Sequence, residues 1–175
     1  VNIIKRHGAV PGIQIAHAGR KASTQRPWNG LSALNDDDIA RGDVPWEVVG
    51  PSPLPADEGW LVPKQLDEAE IGDIVKAFGQ AARRSHDAGF EALEIHGAHG
   101  YLIQSFLSPL SNKRNDGYGG DLAGRMRLAL EVTREVRSNW PDEKPLFFRV
   151  SSVDGSDDGW QLDDSIALAK ELKAL

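Results

Sequence analysis

The chain has 175 residues, of which 40% are hydrophobic and 26% charged, enough for one domain with a packed core and too apolar for a disordered segment. A net charge of −6 without any basic cluster argues against nucleic acid and anionic membrane surfaces as partners. No apolar run approaches the ~18–20 residues that span a bilayer, and the lack of cysteine excludes disulfides and thiolate metal sites, so a cytoplasmic protein is expected.

The chain opens VNIIKRHGAV, with neither an initiator Met nor a signal-peptide pattern, and Val1 to His7 read as a helix end stopped by Gly8. Gly12 to His17, GIQIAH, is an isoleucine-rich run read as a buried strand. Residues 19–63 show no sustained period and many Pro, Gly and Asp, yet carry Trp28, Trp46 and Trp60, so this stretch reads as an ordered excursion over a site. A helix follows, with Asp67 as N-cap, Glu70 as its capping-box partner and Gly89 as its stop. Its stripe is Ile71, Ile74, Val75, Phe78, Ala81 and Ala82.

FEALEIH, Phe90 to His96, reads as the next strand, and residues 97–120 as a loop. A second helix is expected from near Asp121, burying Met126, Ala129, Leu130, Thr133 and Val136. PLFFRVS, Pro145 to Ser151, is the third strand. A last helix from near Asp163 is expected to bury Ile166, Ala169 and Leu172, and the chain ends inside it. Strands and helices thus alternate, which implies an α/β fold with a parallel sheet and helices outside. The strands look apolar on both faces, as covered parallel strands do. No G-x-G-x-x-G follows any strand, so the open dinucleotide-binding fold lacks its signature.

In parallel α/β folds functional groups sit at the carboxyl ends of the strands. All the strands here end in polar residues: Gln14 and His17, then His96, then Arg149. The loop HGAHGYLIQSFLSPLSNKRNDGYGG is the most informative segment. His96 and His99 stand three apart among glycines, with Tyr101 next. Two histidines at short spacing can bind zinc, but no cysteine exists and no carboxylate stands at a familiar ligand spacing. The other chemical reading is a pair of N–H donors for a substrate oxygen, with a phenol close by as an acid. A purely structural reading, with the glycines turning the chain and the histidines bonding backbone, also stays open.

Four segments carry a resemblance: QIAHAGRKA (Gln14 to Ala22), HGAHGYL with FLSPLSNKR (His96 to Arg114), YGG with RMR (Tyr118 to Arg127), and FRVS (Phe148 to Ser151). Together they resemble the Old Yellow Enzyme family, especially its bacterial xenobiotic-reductase-like branch with a His/His substrate pair. The resemblance covers essentially the whole chain and implies the central fragment of a (β/α)8 TIM barrel, roughly strands three to five with both barrel ends missing. It implies FMN as cofactor, NAD(P)H as reductant, and an activated alkene, an α,β-unsaturated carbonyl or nitro compound, as small-molecule substrate; self-association is left open. By position, Gln14 matches the glutamine on the flavin pyrimidine edge, and Arg149 the arginine beside flavin N1 and O2. His96 and His99 match the pair gripping the substrate oxygen, and Tyr101 the proton donor. Such a phenol, with an ordinary pKa of about 10, is protonated at neutral pH and can supply the α-carbon proton.

His17 and Arg20 belong to the motif without a catalytic role. Gln104 with Ser105, and Ala123 with Gly124, depart from LIHQFLSP and ENRMR, which bears on loop packing. Phosphate sites in such barrels lie on the loops after strands seven and eight, so the fragment alone is expected to be inactive. A catalytically inactive binding piece, or a histidine-based metal hydrolase, are the alternatives.

Overall fold

The computed structural model describes all 175 residues. Helix α1 (Asn2–Arg6) leads to strand β1 (Gly12–Ile15). Two single-turn 3-10 segments, helix α2 (Asp36–Ala40), and strands β2 (Val49–Gly50) and β3 (Lys64–Gln65) follow. Then come α3 (Glu68–Asp87), β4 (Ala92–Gly97), α4 (Leu102–Leu107), α5 (Leu122–Asn139), β5 (Leu146–Val150) and α6 (Leu162–Lys173). The main sheet is parallel, in the order β1-β4-β5. No helix is long and apolar enough to cross a membrane.

Helix α3 forms where its caps dictate. The Asp67 carboxylate accepts from the Glu70 N–H at 2.8 Å, and Glu70 accepts from the Asp67 N–H at 3.0 Å. Gly89, at φ +89°, ends it in a conformation that a Cβ disfavours. Its buried face, Ile71, Phe78 and Ala82, shares one core with Leu128, Ala129 and Val132 of α5 and with Leu93 and Ile95 of β4. Full burial of Leu93 or Ile95 contributes about 1.5–3 kcal/mol each, relative to exposure.

Pairing register sets two unlike faces. Ile13 pairs Leu93, which pairs Leu146; Ile15 pairs Ile95, which pairs Phe148. This face is apolar and meets the helices. On the opposite face Gln14 pairs Glu94, which pairs Phe147, and His96 pairs Arg149. The strands are therefore not apolar on both faces, as their composition suggested. The Leu-Glu-Ile-His alternation of β4 is a period of two, and it divides an apolar outer face from a polar inner one.

Two other expectations are corrected. Residues 97–120 are not loop throughout, because α4 lies inside them with every residue from Leu102 to Leu107 buried. Helix α6 starts at Leu162, as expected, but it buries Ser165 and Leu168. Ile166 and Ala169 are exposed, and Leu172 is half-buried. The indole of Trp160 donates to Ser165 Oγ at 2.7 Å, and Ser165 Oγ donates to the Ser152 carbonyl at 2.7 Å, which turns Ser165 inward.

The excursion over residues 19–63 is ordered by polar contacts. Buried Asp38 accepts from Gln25 Nε2 at 2.7 Å and from the Asn35 N–H at 2.9 Å, and pairs with Arg41. These bonds hold its carboxyl below the usual range, the Asn35 backbone contributing most. The short β2–β3 pair closes the excursion onto the start of α3. Trp28 and Trp46 lie exposed on its surface.

Arg114, 6% exposed, ties this periphery to the core. Its guanidinium donates to the Leu66 carbonyl at 2.6 Å, to the Pro51 carbonyl at 3.1 Å and to Asp116, and stands over the Phe106 ring. We expect Arg114→Met to destabilise the full-length protein by about 3–5 kcal/mol, since it orphans buried acceptors and a paired carboxylate. Denaturant unfolding would check this; a loss of under about 1 kcal/mol, the scale of a surface pair, would place Arg114 outside the core.

Candidate functional site

The inner face of the sheet carries its polar groups toward the carboxyl ends. Gln14 Nε2 donates to Glu94 Oε1. A carboxylate only accepts, so the amide nitrogen must be the atom facing it, and Gln14 Oε1 is left as an acceptor. One step further along, Arg149 stands beside His96 in register, exposed, with no hydrogen-bond or ion-pair partner in the chain. Gln14, Glu94, His96 and Arg149 thus form one polar patch.

Beyond β4 the chain turns sharply. His99 and Gly100 are both left-handed, at φ +61° and +71°. This turn carries the His99 ring back to 5.0 Å from that of His96, nearly perpendicular to it. The Tyr101 ring lies 5.0 Å from His96 and 6.5 Å from His99. The structure therefore gathers His96, His99 and Tyr101 at the carboxyl end of β4, next to Arg149, with Gln14 on the same face farther back. No third His, Asp or Glu joins the two imidazoles in a metal-holding group.

The protonation of His96 can be read from its contacts. Its Nδ1 accepts the Ala98 N–H at 3.2 Å, so in the neutral ring the proton sits on Nε2, which becomes a donor. His96 is 4% exposed, and its pKa is lowered by burial first, then by His99 and Arg149, against a raising contribution from Glu94. A neutral ring with one outward N–H is the form these surroundings favour.

His17 and Arg20 serve the frame. His17 Nδ1 accepts the Gly19 N–H at 3.0 Å and its carbonyl accepts the Leu102 N–H at 3.0 Å. At Gly19, φ +57°, a Cβ would come within 2.9 Å of Leu102 Cα, so this approach to α4 needs glycine. Arg20 donates to the Leu54 and Pro55 carbonyls at 3.1 and 3.0 Å, anchoring the excursion. Gln104 donates to Asp154 at 3.0 Å, Ser105 Oγ to the Leu102 carbonyl at 2.6 Å, and Gly124 N–H to the Asp121 N-cap at 2.8 Å, so the departures from the resemblance are packing details.

Three residues at the site escaped the sequence reading: Glu94, Lys21 and Ser151. Glu94 had a signal, the polar alternation within β4. Lys21 and Ser151 had none, because both act on the backbone of His99: Lys21 Nζ donates to its carbonyl at 2.8 Å, and Ser151 Oγ accepts its N–H at 3.0 Å. The excursion lies beside Tyr101. Trp60, Leu31, Thr24, Asp57 and Lys21 line a cavity of about 330 Å³ that Tyr101 borders.

The sequence model of the NADH:flavin oxidoreductase / NADH oxidase family matches residues 1–175. An NADPH dehydrogenase of Geobacillus thermodenitrificans is 42% identical over 173 residues, covering 99% of this chain and 44% of the relative. Morphinone reductase, solved with tetrahydroNAD, superposes with a TM-score of 0.79 at 26% identity, over 99% of this chain and 48% of that one. The old yellow enzyme homologue of Zymomonas mobilis does so at 0.76 and 26%, over 99% and 47%. The chain spans under half the length of these relatives. Its parallel strands and outer helices form an arc of their TIM barrel.

The depressed pKa values of His96 and of His17, the latter lowered by burial, have a consequence for stability. Below the ordinary value of 6.5 the unfolded chain takes up protons that these folded rings refuse. Stability is therefore complete above that pH and falls as the pH drops, levelling only below the folded pKa values. Urea melts of the full-length protein from pH 7.5 to pH 5 should show this decline, and His96→Gln should flatten it. An unchanged slope in that variant would mean His96 titrates freely.

Proposed function

The chain belongs to the NADH:flavin oxidoreductase / NADH oxidase family, the Old Yellow Enzyme family of FMN-dependent oxidoreductases, and we propose that it carries the substrate site of an ene-reductase. In the full-length protein the activity would be the reduction of an activated alkene, an α,β-unsaturated carbonyl or nitro compound, with FMN as bound cofactor and NADPH as reductant. Residues 1–175 make one partial barrel domain in this reading, with residues 19–63 as a wall beside the site. The observation that carries it is the grouping of His96, His99 and Tyr101 within 5.0–6.5 Å ring to ring, beside an unpartnered guanidinium.

The inner face suits a flavin edge. The pyrimidine edge of an isoalloxazine alternates acceptor, N–H donor and acceptor. Gln14, with its donor end taken by Glu94, offers Oε1 to an N–H. Arg149, without a partner in the chain, would offer its guanidinium to the same edge and favour negative charge there. When bound, FMN supplies the hydride.

The chain's own residues do the rest. The Nε2–H of His96 and the imidazole of His99 hold the carbonyl or nitro oxygen of the substrate, which places its alkene and stabilises the charge growing on that oxygen. Because His96 is a neutral donor, it binds the oxygen without surrendering a proton to it. Tyr101 holds the proton that the α-carbon receives; its ring is the one beside both histidines and open to the cavity.

Tyr101→Phe in the full-length enzyme should slow alkene reduction by about 10²–10⁴-fold, the usual contribution of a positioned acid. Reduction of the flavin by NADPH should stay unchanged. Stopped-flow absorbance separates the two half-reactions, and an equal loss in both would refute the role.

A further inference from the structure

We propose that Lys21 and Ser151 are positioning residues that hold His99 in its left-handed conformation and so aim its ring beside that of His96. This rests on the reading of His96 and His99 as the substrate-oxygen pair. Left-handed backbone is unfavourable for any residue with a Cβ, because the Cβ crowds the following carbonyl. His99 sits there nonetheless, outside any helix or strand, and its ring is exposed. Apart from edge contacts with His96 and Tyr101, its side chain is not enclosed.

What grips it is its peptide. The His99 N–H goes to Ser151 Oγ at 3.0 Å, from the residue just after β5. The His99 carbonyl takes Lys21 Nζ at 2.8 Å, from the 3-10 turn after β1. Lys21 also lies across Gly100, the second left-handed residue at φ +71°, a backbone conformation that favours glycine. A donor and an acceptor from the segments that follow the two strands flanking β4 thus satisfy both backbone polar groups of His99. Rotating His99 back to ordinary backbone angles would swing its N–H and carbonyl off both partners and carry the ring away from His96. The ammonium matters because a charge-assisted bond to a carbonyl is stronger than a neutral one.

The test uses full-length holoenzyme and a para-substituted phenol, whose phenolate oxygen stands in for the substrate oxygen. Lys21→Met and Ser151→Ala should each weaken phenol binding about tenfold, equivalent to about 1.4 kcal/mol, with FMN content and thermal midpoint unchanged. Lys21→Arg, which keeps a cationic donor, should recover most of the affinity. The effect must run through His99. In a His99→Ala background, Lys21→Met should therefore weaken binding no further; a loss that persists there would mean that Lys21 touches the ligand itself, and would overturn the proposal. If His99→Ala weakens binding while Lys21→Met and Ser151→Ala do not, the clamp falls and the oxygen-pair reading stands. A second measurement does not depend on that reading. Hydrogen exchange over residues 97–101 should speed up in the Lys21→Met/Ser151→Ala double variant, and equal exchange would overturn the clamp whatever the phenol does.

Discussion

Parallel register between β4 and its two neighbours is the constraint on which the rest depends. Side chains alternate along a strand, so a one-residue slip of β4 would turn Glu94 and His96 outward, away from Gln14 and Arg149, and drive Leu93 and Ile95 inward. The helices prevent it. Ile95 and Leu93 are fully buried against α3 and α5, and each would lose about 1.5–3 kcal/mol on exposure. The apolar outer face fixes the polar inner face, although it contains none of the proposed chemistry.

At the carboxyl ends of the strands, burial gives way to directional bonds. Asp154, after β5, accepts from Gln104 and Ser108 near α4 at 3.0 and 2.6 Å, and from the Trp160 N–H at 2.7 Å. Arg20 holds the excursion, and Arg114 holds the loop beyond α4. Irregular backbone exposes many N–H and C=O groups, and those left unpaired in a buried place would each cost about 1–3 kcal/mol. Such segments are therefore stitched by side chains that reach across them. This explains why Asp, Arg and Ser share the structural work with the buried apolar residues of α4 at this end of the molecule.

How much of this is legible in the sequence depends on the range of the signal. Helix α3 is legible because its 20 residues repeat an apolar stripe several times between a capping box and a stop glycine. Helix α4 is not, because six residues, all buried, show no amphipathic period. In α6, Ser165 takes an inward slot through two hydrogen bonds that no pattern announces. Strand-end His96 and Arg149 stand out because polar residues end otherwise apolar runs. Lys21 and Ser151 do not, since they bond to backbone 78 and 52 residues away, and any residue type could own that backbone.

The inner face also explains why this arrangement is worth keeping. A sheet face that carries Glu94, His96 and Arg149 must either pair these polar groups or leave them open to solvent and ligand, at a cost in stability. Gln14 satisfies one carboxylate oxygen, and the Ala98 N–H occupies His96 Nδ1. Arg149 and the Nε2–H of His96 find nothing within the chain. A core optimised for stability would fill such positions with aliphatic side chains, as the outer face does. Donors held in place without partners are instead preorganised: they need little rearrangement when an electron-rich ligand arrives, so their full attraction goes into binding it. On the proposed reading, the free guanidinium would meet the flavin and the free imidazole N–H the substrate oxygen, so binding would recover the stability that these unpaired donors cost.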